Sequence, residues 1–472
     1  MVFSSISFLC GFLFIVFVLY SIIPWLTIKN LLLIIFSLIF YSVGEPVYVF
    51  LMLGMSLLNY LLGLVIGKSN KGRKFWLVLS VVANVGVLFV FKYVNFVISN
   101  INNMFSSDIP LTNIVMPIGI SFFTFQAMSY VIDVYRKDCE YQKNFFNVLL
   151  YISFFPQLIA GPIIKYHDLE KEITDRKQTV DDVESGIRRF IIGLTKKVII
   201  SNAVAQVVDN LMLDVEGMTV LAAWIMAIGY ALQIYYDFSG YSDMAIGLGR
   251  MFGFHFKENF DYPYSSTSIK EFWRRWHISL STWFKEYVYI PLGGNRKGKA
   301  WTVINKYIVF FLTGFWHGAN WTFVLWGLIH GTFSVIEEGT KFNINNVKFK
   351  AVRYVYTMLI VVLAFVIFRA DTVAQAMDII SKMFVFGVSD GASNIYLLSQ
   401  MTPFKIFAFL LGIIFMFPWV DKLWNKLKNN ENKVKAYNAV YIITGIVLMI
   451  CLMFCIITLA SDSYNPFIYF RF

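Results

Sequence analysis

Long apolar segments recur along the whole chain, and they restrict its possible folds more than any other feature of the sequence. The 472 residues are 58% hydrophobic and only 15% charged, with a mean hydropathy of +0.64. Many of the apolar runs approach the ~20 residues that a helix needs to cross a bilayer. Backbone groups inside a bilayer must be hydrogen-bonded within helices, because no water is available to them there. The sequence therefore predicts an all-α, polytopic integral membrane protein surrounded by lipids.

The charged residues agree with this class. The net charge is +11, and the basic residues are scattered among short loops, as expected for the cytoplasmic side of a multi-pass membrane protein. Scattered basic residues do not indicate a nucleic-acid partner. The four cysteines show neither metal-ligand spacing nor a disulfide framework. We therefore expect neither a metal site nor nucleic-acid binding.

The alternation of inside and outside loops fails at residues 144–164. This segment contains Pro156, Gly161 and Pro162, which interrupt a helix. If it crossed the membrane, the charge bias of every later loop would be inverted. We therefore expect a broken, re-entrant segment here, and about 12 crossings by runs of span length. Because we find no internal repeat and no linker, residues 1–472 are predicted to form a single domain around a central intramembrane pocket.

Three of the five histidines, His277, His317 and His330, lie within residues 270–331. Ionisable side chains in apolar segments are costly, so they indicate a functional site. A helix that leads up to WHGAN would rise only ~18 Å into ~30 Å of hydrocarbon. His317 is therefore expected inside the membrane, close to a break in regular helix. Because a neutral imidazole suits the deprotonation of a hydroxyl near pH 7, we predict that His317 is a general base.

A second polar group is predicted on one helix over FWRRWHISLSTWF. Its members Arg274, His277 and Ser281 are three and four residues apart and would share a face. Arg274 and the adjacent Arg275 could bind the phosphate of a coenzyme or carrier donor. Alternatively, the two arginines only mark the cytoplasmic interface. His277 either helps to bind the acyl donor or is a packing histidine.

Two carboxylates, Asp237 and Asp243, lie in an apolar run. Six residues apart, they do not share a helical face, and each could meet a hydroxyl close by in sequence, on Tyr241 and Ser239 respectively. They are either catalytic or polar contacts between helices, and we favour structural support of the pocket. The same supporting role is predicted for two further residues, Asn320 and His330.

Two other patterns receive a structural interpretation. The glycines of GLGRMFG, residues 247–253, follow an apolar helix rather than a strand, so close helix packing explains them better than nucleotide binding does. His167 and His255 are predicted to lie in loops, where they would be solvated or structural.

Four stretches of the chain resemble the membrane-bound O-acyltransferase family, in particular its bacterial alginate O-acetylase-like branch. They are IGISFFTFQAMSYVIDVYR (118–136), FFPQLIAGPI (154–163), YYDFSGYSDMAIGLGRMFGF (235–254) and the histidine-bearing stretch 270–331. The resemblance thus covers the region 118–331. It assigns the central catalytic histidine of the family to His317.

The resemblance also implies a reaction and its setting. The enzyme would take an acyl group, most readily acetyl, from a cytoplasmic thioester such as acetyl-CoA, with no bound cofactor. It would pass this group across the bacterial plasma membrane for O-acetylation of an exported or cell-wall polysaccharide. The expected partner is an extracytoplasmic transferase similar to the SGNH hydrolases, or a polysaccharide synthase complex.

The end of the chain, residues 461–472, is unusually aromatic. Chain ends are usually polar, whereas the last six residues, FIYFRF, include four aromatic ones. By the loop count this tail is extracytoplasmic. It resembles the C-terminal motif of the small companion protein in bacterial teichoic-acid D-alanylation, which implies that Tyr469 relays the acyl group. The alternative is an aromatic anchor at the membrane interface.

Three other functions stay open on the sequence. One is D-alanyl transfer from a carrier protein to teichoic acid. Another is the transport of a lipid or sugar, because transporters also carry intramembrane charges, although they commonly contain inverted repeats. The third is a non-catalytic scaffold for a synthase complex. No HExxH, GxSxG or P-loop motif indicates a different enzyme.

Overall fold

The computed structural model describes residues 1–69, 71–339, 344–385, 392–429, 434–461 and 464–468. Within these residues the secondary structure is helical, and no strand occurs among them, so the all-α prediction is confirmed. The helices form two compact units. Unit 1 comprises Met1–Phe190 and Ser242–Lys257, and unit 2 comprises Ile191–Tyr241 and Glu258–Phe472.

The helices of the first half of the chain are α1 (Leu13–Ile22), α2 (Leu26–Ser42), α3 (Tyr48–Lys68), α4 (Arg73–Leu88), α5 (Val94–Phe105), α6 (Ile120–Arg136), α7 (Phe145–Ser153), α8 (Phe155–Leu158), α9 (Tyr166–Thr174), α10 (Val180–Thr195), α11 (Asn202–Leu211) and α12 (Val220–Met251). Short π-helical segments, Phe89–Tyr93 and Lys196–Ser201, join α4 to α5 and α10 to α11.

The helices of the second half are α13 (Ile269–Arg275), α14 (Ile278–Phe284), α15 (Lys299–His317), α16 (Trp321–Gly339), α17 (Lys350–Arg369), α18 (Val373–Phe384), α19 (Ala392–Gln400), α20 (Pro403–Phe415), α21 (Trp419–Lys428) and α22 (Val434–Ser461). All of them belong to unit 2.

Six helical stretches in the described chain are long and apolar enough to cross a membrane, or seven if the bent pair α20–α21 counts as one span. The six are Tyr48–Lys68, Arg73–Phe105, Val180–Leu211, Val220–Met251, Lys350–Arg369 and Val434–Ser461. The predicted count of about 12 crossings is therefore not confirmed. One reason is that the apolar helices Ser7–Ile22 and Leu26–Ser42 are shorter than a span.

The predicted interruption of residues 144–164 is present in unit 1. The side chain of Asn144 caps α7 by accepting a hydrogen bond of 3.0 Å from the backbone N–H of Phe146. Phe154 separates α7 from α8, and Pro156 lies in the first turn of α8, where a missing N–H costs no hydrogen bond. The break is therefore confirmed, while the re-entrant path through a membrane stays a prediction.

Glycine permits close helix packing in unit 1, as predicted for GLGRMFG. A Cβ atom on Gly247 in α12 would lie 2.6 Å from the carbonyl oxygen of Gly186 in α10. A Cβ atom on Gly249 would lie 2.8 Å from the ring of Phe256. Side chains at these positions would push the elements apart, so the packing interpretation of these glycines is confirmed.

The two histidines of unit 1 form ion-pair contacts with carboxylates. His167 lies in the first turn of α9, not in a loop as predicted, and its Nδ1 is 2.9 Å from Asp133. His255, which does lie in a loop, bridges Glu172 at 2.9 Å and Asp182 at 3.0 Å. Both histidines therefore connect segments of unit 1.

In unit 2, α15 and α16 form a hairpin whose helices meet at glycine. A Cβ atom on Gly327 would lie 2.3 Å from the carbonyl oxygen of Phe310, and the Cα of Gly314 is 3.2 Å away from the same position. Backbone therefore packs directly on backbone, as small residues allow in membrane helices. Because α15 ends at His317, this contact also determines the position of that imidazole.

Replacing Gly327 by alanine is expected to destabilise the protein by about 1–3 kcal/mol, because the new methyl group can only be accommodated by moving backbone. Gly86→Ala in α4 is the matched control, since no atom lies within 4 Å of its Cβ position. Alanine there gains up to ~1 kcal/mol of helix propensity. The apparent melting temperature of the detergent-purified protein measures both effects, and equal values for the two variants would contradict the close packing.

Candidate active site

The start of α13 is held by a carboxylate from α16. The buried Glu337 accepts hydrogen bonds from the backbone N–H groups of Ile269 at 2.7 Å and Lys270 at 3.1 Å. Ser268 is the N-cap residue, and its Oγ accepts from the backbone N–H of Glu271 at 3.0 Å. Negative charge at a helix N-terminus is stabilising. Glu337 therefore fixes α13 against the hairpin that carries His317 and His330.

The continuous helix predicted for FWRRWHISLSTWF is wrong, because it consists of α13 and α14 with a break at His277. The backbone of His277 is left-handed, with φ +44° and ψ +55°, a conformation that costs a residue with a Cβ roughly 1–2 kcal/mol. Asn259 stabilises it: its backbone carbonyl accepts from the N–H of Ile278 at 2.9 Å, and its Oδ1 accepts from Ser279 Oγ at 2.9 Å.

His277 is completely buried in unit 2. Its Nδ1 lies 3.2 Å from Asn259 Oδ1, and its ring stands edge-on to Phe238 with the centroids 4.5 Å apart. The backbone N–H of Ser281 donates to the carbonyl of His277 at 3.0 Å. Asn259 thus orients the imidazole, and Ser281 belongs to the helix that starts directly after it.

His317 is the last residue of α15 and is 6% exposed. The next residue, Gly318, has the extended backbone angles φ −167° and ψ 153°. The prediction that His317 lies at the end of regular helix is therefore confirmed. Its ring packs against three aromatic side chains, with centroid distances of 4.9 Å to Trp316, 5.1 Å to Trp326 and 5.2 Å to Phe368.

The three imidazoles of unit 2 are brought together by two indole rings. Trp316 lies 6.0 Å from His277 and 4.9 Å from His317. Trp326 lies 5.1 Å from both His317 and His330. Histidine and tryptophan rings therefore alternate through a buried, largely apolar region. Such surroundings exclude water and strengthen the electrostatic interactions made inside them.

His330 is completely buried in α16. Its ring stacks on Phe272 with the centroids 5.8 Å apart and the planes 7° apart, and it meets Trp273 edge-on at 5.3 Å. Within the described chain, neither ring nitrogen of His330 has a hydrogen-bond partner. Packing against α13 therefore accounts for its position.

The two arginines differ in their surroundings. Arg274 is exposed, whereas Arg275 forms an ion pair with Asp261 at 2.9 Å and another with Glu271 at 3.1 Å. Burial alone would raise the pKa of Glu271, but hydrogen bonds from Thr267 and the charge of Arg275 outweigh it and hold that pKa below its usual value. Arg275 is thus engaged within the protein, and Arg274 is more available to an external anion.

The carboxylates of α12 have basic partners from the preceding helical stretch. In unit 2, Asp237 is 2.6 Å from Lys197, with both side chains almost completely buried. In unit 1, Asp243 is 2.7 Å from Arg189. The local hydroxyls that we predicted as partners are therefore replaced by two ion pairs between helices, which agrees with a structural role.

Asn320 begins α16. Its Oδ1 accepts from the backbone N–H of Thr322 at 3.2 Å, and its Nδ2 donates to the carbonyl of Asp371 at 2.8 Å. The side chain therefore connects the turn after His317 to the end of α17.

Tyr469 lies outside the described residues. No group of His, Cys, Asp and Glu side chains within the described ranges could hold a metal ion.

Comparison with known proteins identifies the kind of enzyme that carries this site. Residues 140–375 match the model of the membrane-bound O-acyltransferase family, and these residues include His277, His317 and His330. The chain belongs to the membrane-bound O-acyltransferase family. It is therefore an O-acyltransferase and a multi-pass integral membrane protein, as predicted.

Relatives within this family act on different polymers. The chain is 38% identical over 489 residues to a probable alginate O-acetylase of Pseudomonas putida, with 100% of each protein covered. It is 35% identical over 386 residues to a peptidoglycan O-acetyltransferase of Helicobacter pylori, with 75% of this chain and 73% of that protein covered. A teichoic acid D-alanyltransferase of Bacillus subtilis is 29% identical over 231 residues, or 47% of this chain.

Proposed function

We propose that this protein is a membrane O-acetyltransferase that modifies an exported or cell-wall polysaccharide at a bacterial plasma membrane. The alginate O-acetylase relative supports this, because it aligns with the chain from end to end. The peptidoglycan O-acetyltransferase relative supports the same reaction on another cell-envelope polymer. The donor would be a cytoplasmic acyl thioester such as acetyl-CoA. The polymer would receive the group directly or through an extracytoplasmic transferase similar to the SGNH hydrolases.

The observation that carries the chemical proposal is the burial of His317 at the end of α15, among aromatic rings. In the proposed reaction its neutral imidazole takes the proton of the acceptor hydroxyl. The oxygen attacks the thioester carbonyl, the carbon–sulfur bond breaks, and the proton passes to the departing thiolate. General-base catalysis of this kind needs an imidazole that is positioned and neutral. The hairpin contact at Gly314 and Gly327 supports that positioning.

The other site residues receive supporting roles in this proposal. His277 would help to bind the donor, in the orientation that Asn259 gives it. Ser281 would line the donor site from the first turns of α14. Asp237, Asn320 and His330 would maintain the shape of the pocket through the ion pair, the cap and the ring contacts described above. Tyr469 would relay the acyl group.

A second candidate is D-alanyl transfer to teichoic acid from a carrier protein. The partial match to the Bacillus subtilis enzyme favours it, but that match covers less of the chain than the match to either O-acetylating relative. Purified protein in lipid nanodiscs can be supplied with acetyl-CoA or with a D-alanyl carrier protein, each labelled in the acyl group. We expect thioester cleavage and label transfer from acetyl-CoA. Consumption of the D-alanyl donor alone would contradict the acetyl proposal.

Removing the charge of Arg274 is expected to raise the KM for the donor more than it lowers kcat. One charge-assisted hydrogen bond to a phosphate is worth about 1.5–3 kcal/mol, which corresponds to roughly a tenfold or larger change in KM. Arg274→Gln should also make donor binding less sensitive to salt. Steady-state kinetics at two salt concentrations measure both effects.

Arg275→Gln is the matched control for Arg274→Gln, because Arg275 is already paired with Asp261 and Glu271. It should lower the melting temperature more than it changes the donor KM. An unchanged donor KM in the double variant Arg274→Gln with Arg275→Gln would contradict donor binding and support the alternative that both arginines only mark the cytoplasmic interface.

A further inference from the structure

The described part of the C-terminal tail, residues 464–468, lies along the helices of unit 2 instead of extending away from them. Its last two described residues, Phe467 and Ile468, are 7% and 3% exposed. The ring of Phe467 stacks on Tyr241 of α12 with the centroids 5.0 Å apart. An aromatic membrane anchor would present such a ring to lipid. The tail is therefore packed against protein at this point.

Polar contacts guide the tail along the helical stretch that contains α11. Tyr464 donates from its hydroxyl to Asp209 Oδ2 at 2.6 Å. Asn465 Oδ1 accepts from Asn202 Nδ2 at 3.1 Å. The carbonyl of Pro466 accepts from Lys197 Nζ. As the residue numbers of the tail rise, those of its helical partners fall, so the two segments run antiparallel.

The last of these contacts is made by the buried ion pair of Lys197 and Asp237. Lys197 Nζ lies 2.6 Å from Asp237 Oδ1, and the two side chains are 3% and 2% exposed. Asp237 Oδ2 accepts from the backbone N–H of Ile468 at 2.7 Å. Each member of the pair thus binds a backbone group of the tail with the matching polarity. A pair that served only to connect two helices would need neither contact.

The tail sequence suits such a site. Buried backbone donors and acceptors must be paired, and the ion pair satisfies one acceptor and one donor of the segment 466–468. Pro466 has no N–H and therefore introduces no donor that would need a partner. Because the ion pair binds backbone groups of the tail, it fixes where the chain runs at residues 466–468.

We propose that Lys197 and Asp237 form a docking site for the C-terminal tail, with Asp209 and Asn202 guiding the segment into it, and that a docked tail is required for acyl transfer. The second half of this statement rests on the proposed function. Ile468 directly precedes Tyr469 in the chain, so the docking site determines where the backbone reaches that residue. Lys197 and Asp237 are therefore positioning residues.

The test removes the docking site without leaving a charge buried alone. A buried ion pair can often be replaced by apolar residues of similar size with little loss of stability, whereas removal of one partner is strongly destabilising. The double variant Lys197→Met with Asp237→Leu should therefore keep its fold. Lys306→Met with Glu338→Leu removes the ion pair between α15 and α16 and also the contact of Glu338 with Lys270, and it serves as the control for stability and tail protection.

Tail docking is measured with carboxypeptidase Y on the purified full-length proteins, followed by intact mass spectrometry. The wild type and the control should resist trimming beyond Ile468. The Lys197/Asp237 double variant should be trimmed into the segment 464–468. Equal protection of the double variant, or trimming of the wild type beyond Ile468, would overturn the docking site. This readout does not depend on what the enzyme acylates.

A variant in the tail itself keeps the test valid if the helix variant does not fold. Ile468→Pro removes the N–H that donates to Asp237 and leaves the ion pair intact. Ile468→Ala is its matched control, because it keeps that N–H. The proline variant should release the tail and the alanine variant should retain it. The same degree of protection in both would contradict backbone recognition by Asp237.

Acyl transfer by the same proteins tests the positioning role. Misplacement of a reacting group by about 1 Å can cost roughly a hundredfold in rate, so the released tail should lower kcat by roughly 10- to 100-fold while the donor KM changes little. A released tail with normal transfer would overturn the positioning role. An inactive wild type with a protected tail would contradict the proposed function and leave the docking site supported.

Discussion

His317→Ala is expected to lower acyl transfer roughly 10²–10⁴-fold, the usual effect of losing a general base. The imidazole is held at the end of α15 by its packing against Trp316, Trp326 and Phe368. Alanine cannot accept the proton of the acceptor hydroxyl, and water has little access to a region formed by these rings. The donor KM should change much less than kcat, because the lost interaction acts during proton transfer.

The measurement is the release of labelled acyl groups from the donor by protein in nanodiscs, together with its melting temperature. His317→Gln is a companion variant that fills more of the volume of the ring and has no comparable basicity. His255→Ala removes an imidazole that is 51% exposed and paired with Glu172 and Asp182. It should leave transfer unchanged. Near-normal transfer by folded His317→Ala would reject the general-base assignment.

The sequence alone predicted those structural features whose determining residues are close together in the chain. Pro156 cannot donate the backbone hydrogen bond that would continue α7, so the helix ends before it, and this can be read from the segment alone. The end of α15 at His317 could also be predicted from nearby residues, because Gly318 follows it and Asn320 caps the next helix. The glycines of GLGRMFG also allowed a local argument, since they lack the side chain that would prevent close packing.

The break at His277 could not be predicted in this way. FWRRWHISLSTWF contains neither glycine nor proline, and its periodicity fits one helix. Asn259 and Glu337 fix the two short helices from positions distant in sequence. The partner of Asp237 was also missed because it is distant in sequence. We predicted a hydroxyl within a few residues, whereas the partner Lys197 lies on another helix. The sequence offered one signal for this partner, because Lys197 is a basic residue within an apolar stretch.

The crossing count was not confirmed because hydropathy does not distinguish two kinds of apolar helix. Val220–Met251 and Val434–Ser461 are both apolar enough to span, but 72% of an 18-residue apolar segment of the first and only 6% of such a segment of the second is buried inside the protein. A helix in a protein core and a helix in lipid both require apolar residues. Counting apolar runs therefore includes short segments such as α1 and α2, which pack in unit 1.

Tyr469→Phe is expected to abolish acylation of the polymer while donor binding survives. If Tyr469 relays the acyl group, its phenol oxygen forms a transient ester after loss of a proton to an adjacent base, and His317 is the proposed base. A phenol has a pKa near 10 and is a weak nucleophile without such help. Phenylalanine keeps the aromatic ring, so any anchoring role at a membrane interface is preserved. The measurements are acyl transfer to the polymer and the donor Kd.

Tyr464→Phe is the matched variant for Tyr469→Phe, because it also removes one phenol hydroxyl from the tail. The hydroxyl of Tyr464 donates to Asp209, which also pairs with Arg369. Its loss should loosen the tail and lower transfer only in part, since the contacts of Lys197 and Asp237 remain. A relay thus predicts that Tyr469→Phe abolishes acyl transfer to the polymer, whereas Tyr464→Phe lowers it only in part. Full activity of Tyr469→Phe, or labelling of the tail from the cytoplasmic side alone, would contradict the relay, because the acyl group must leave on the opposite side.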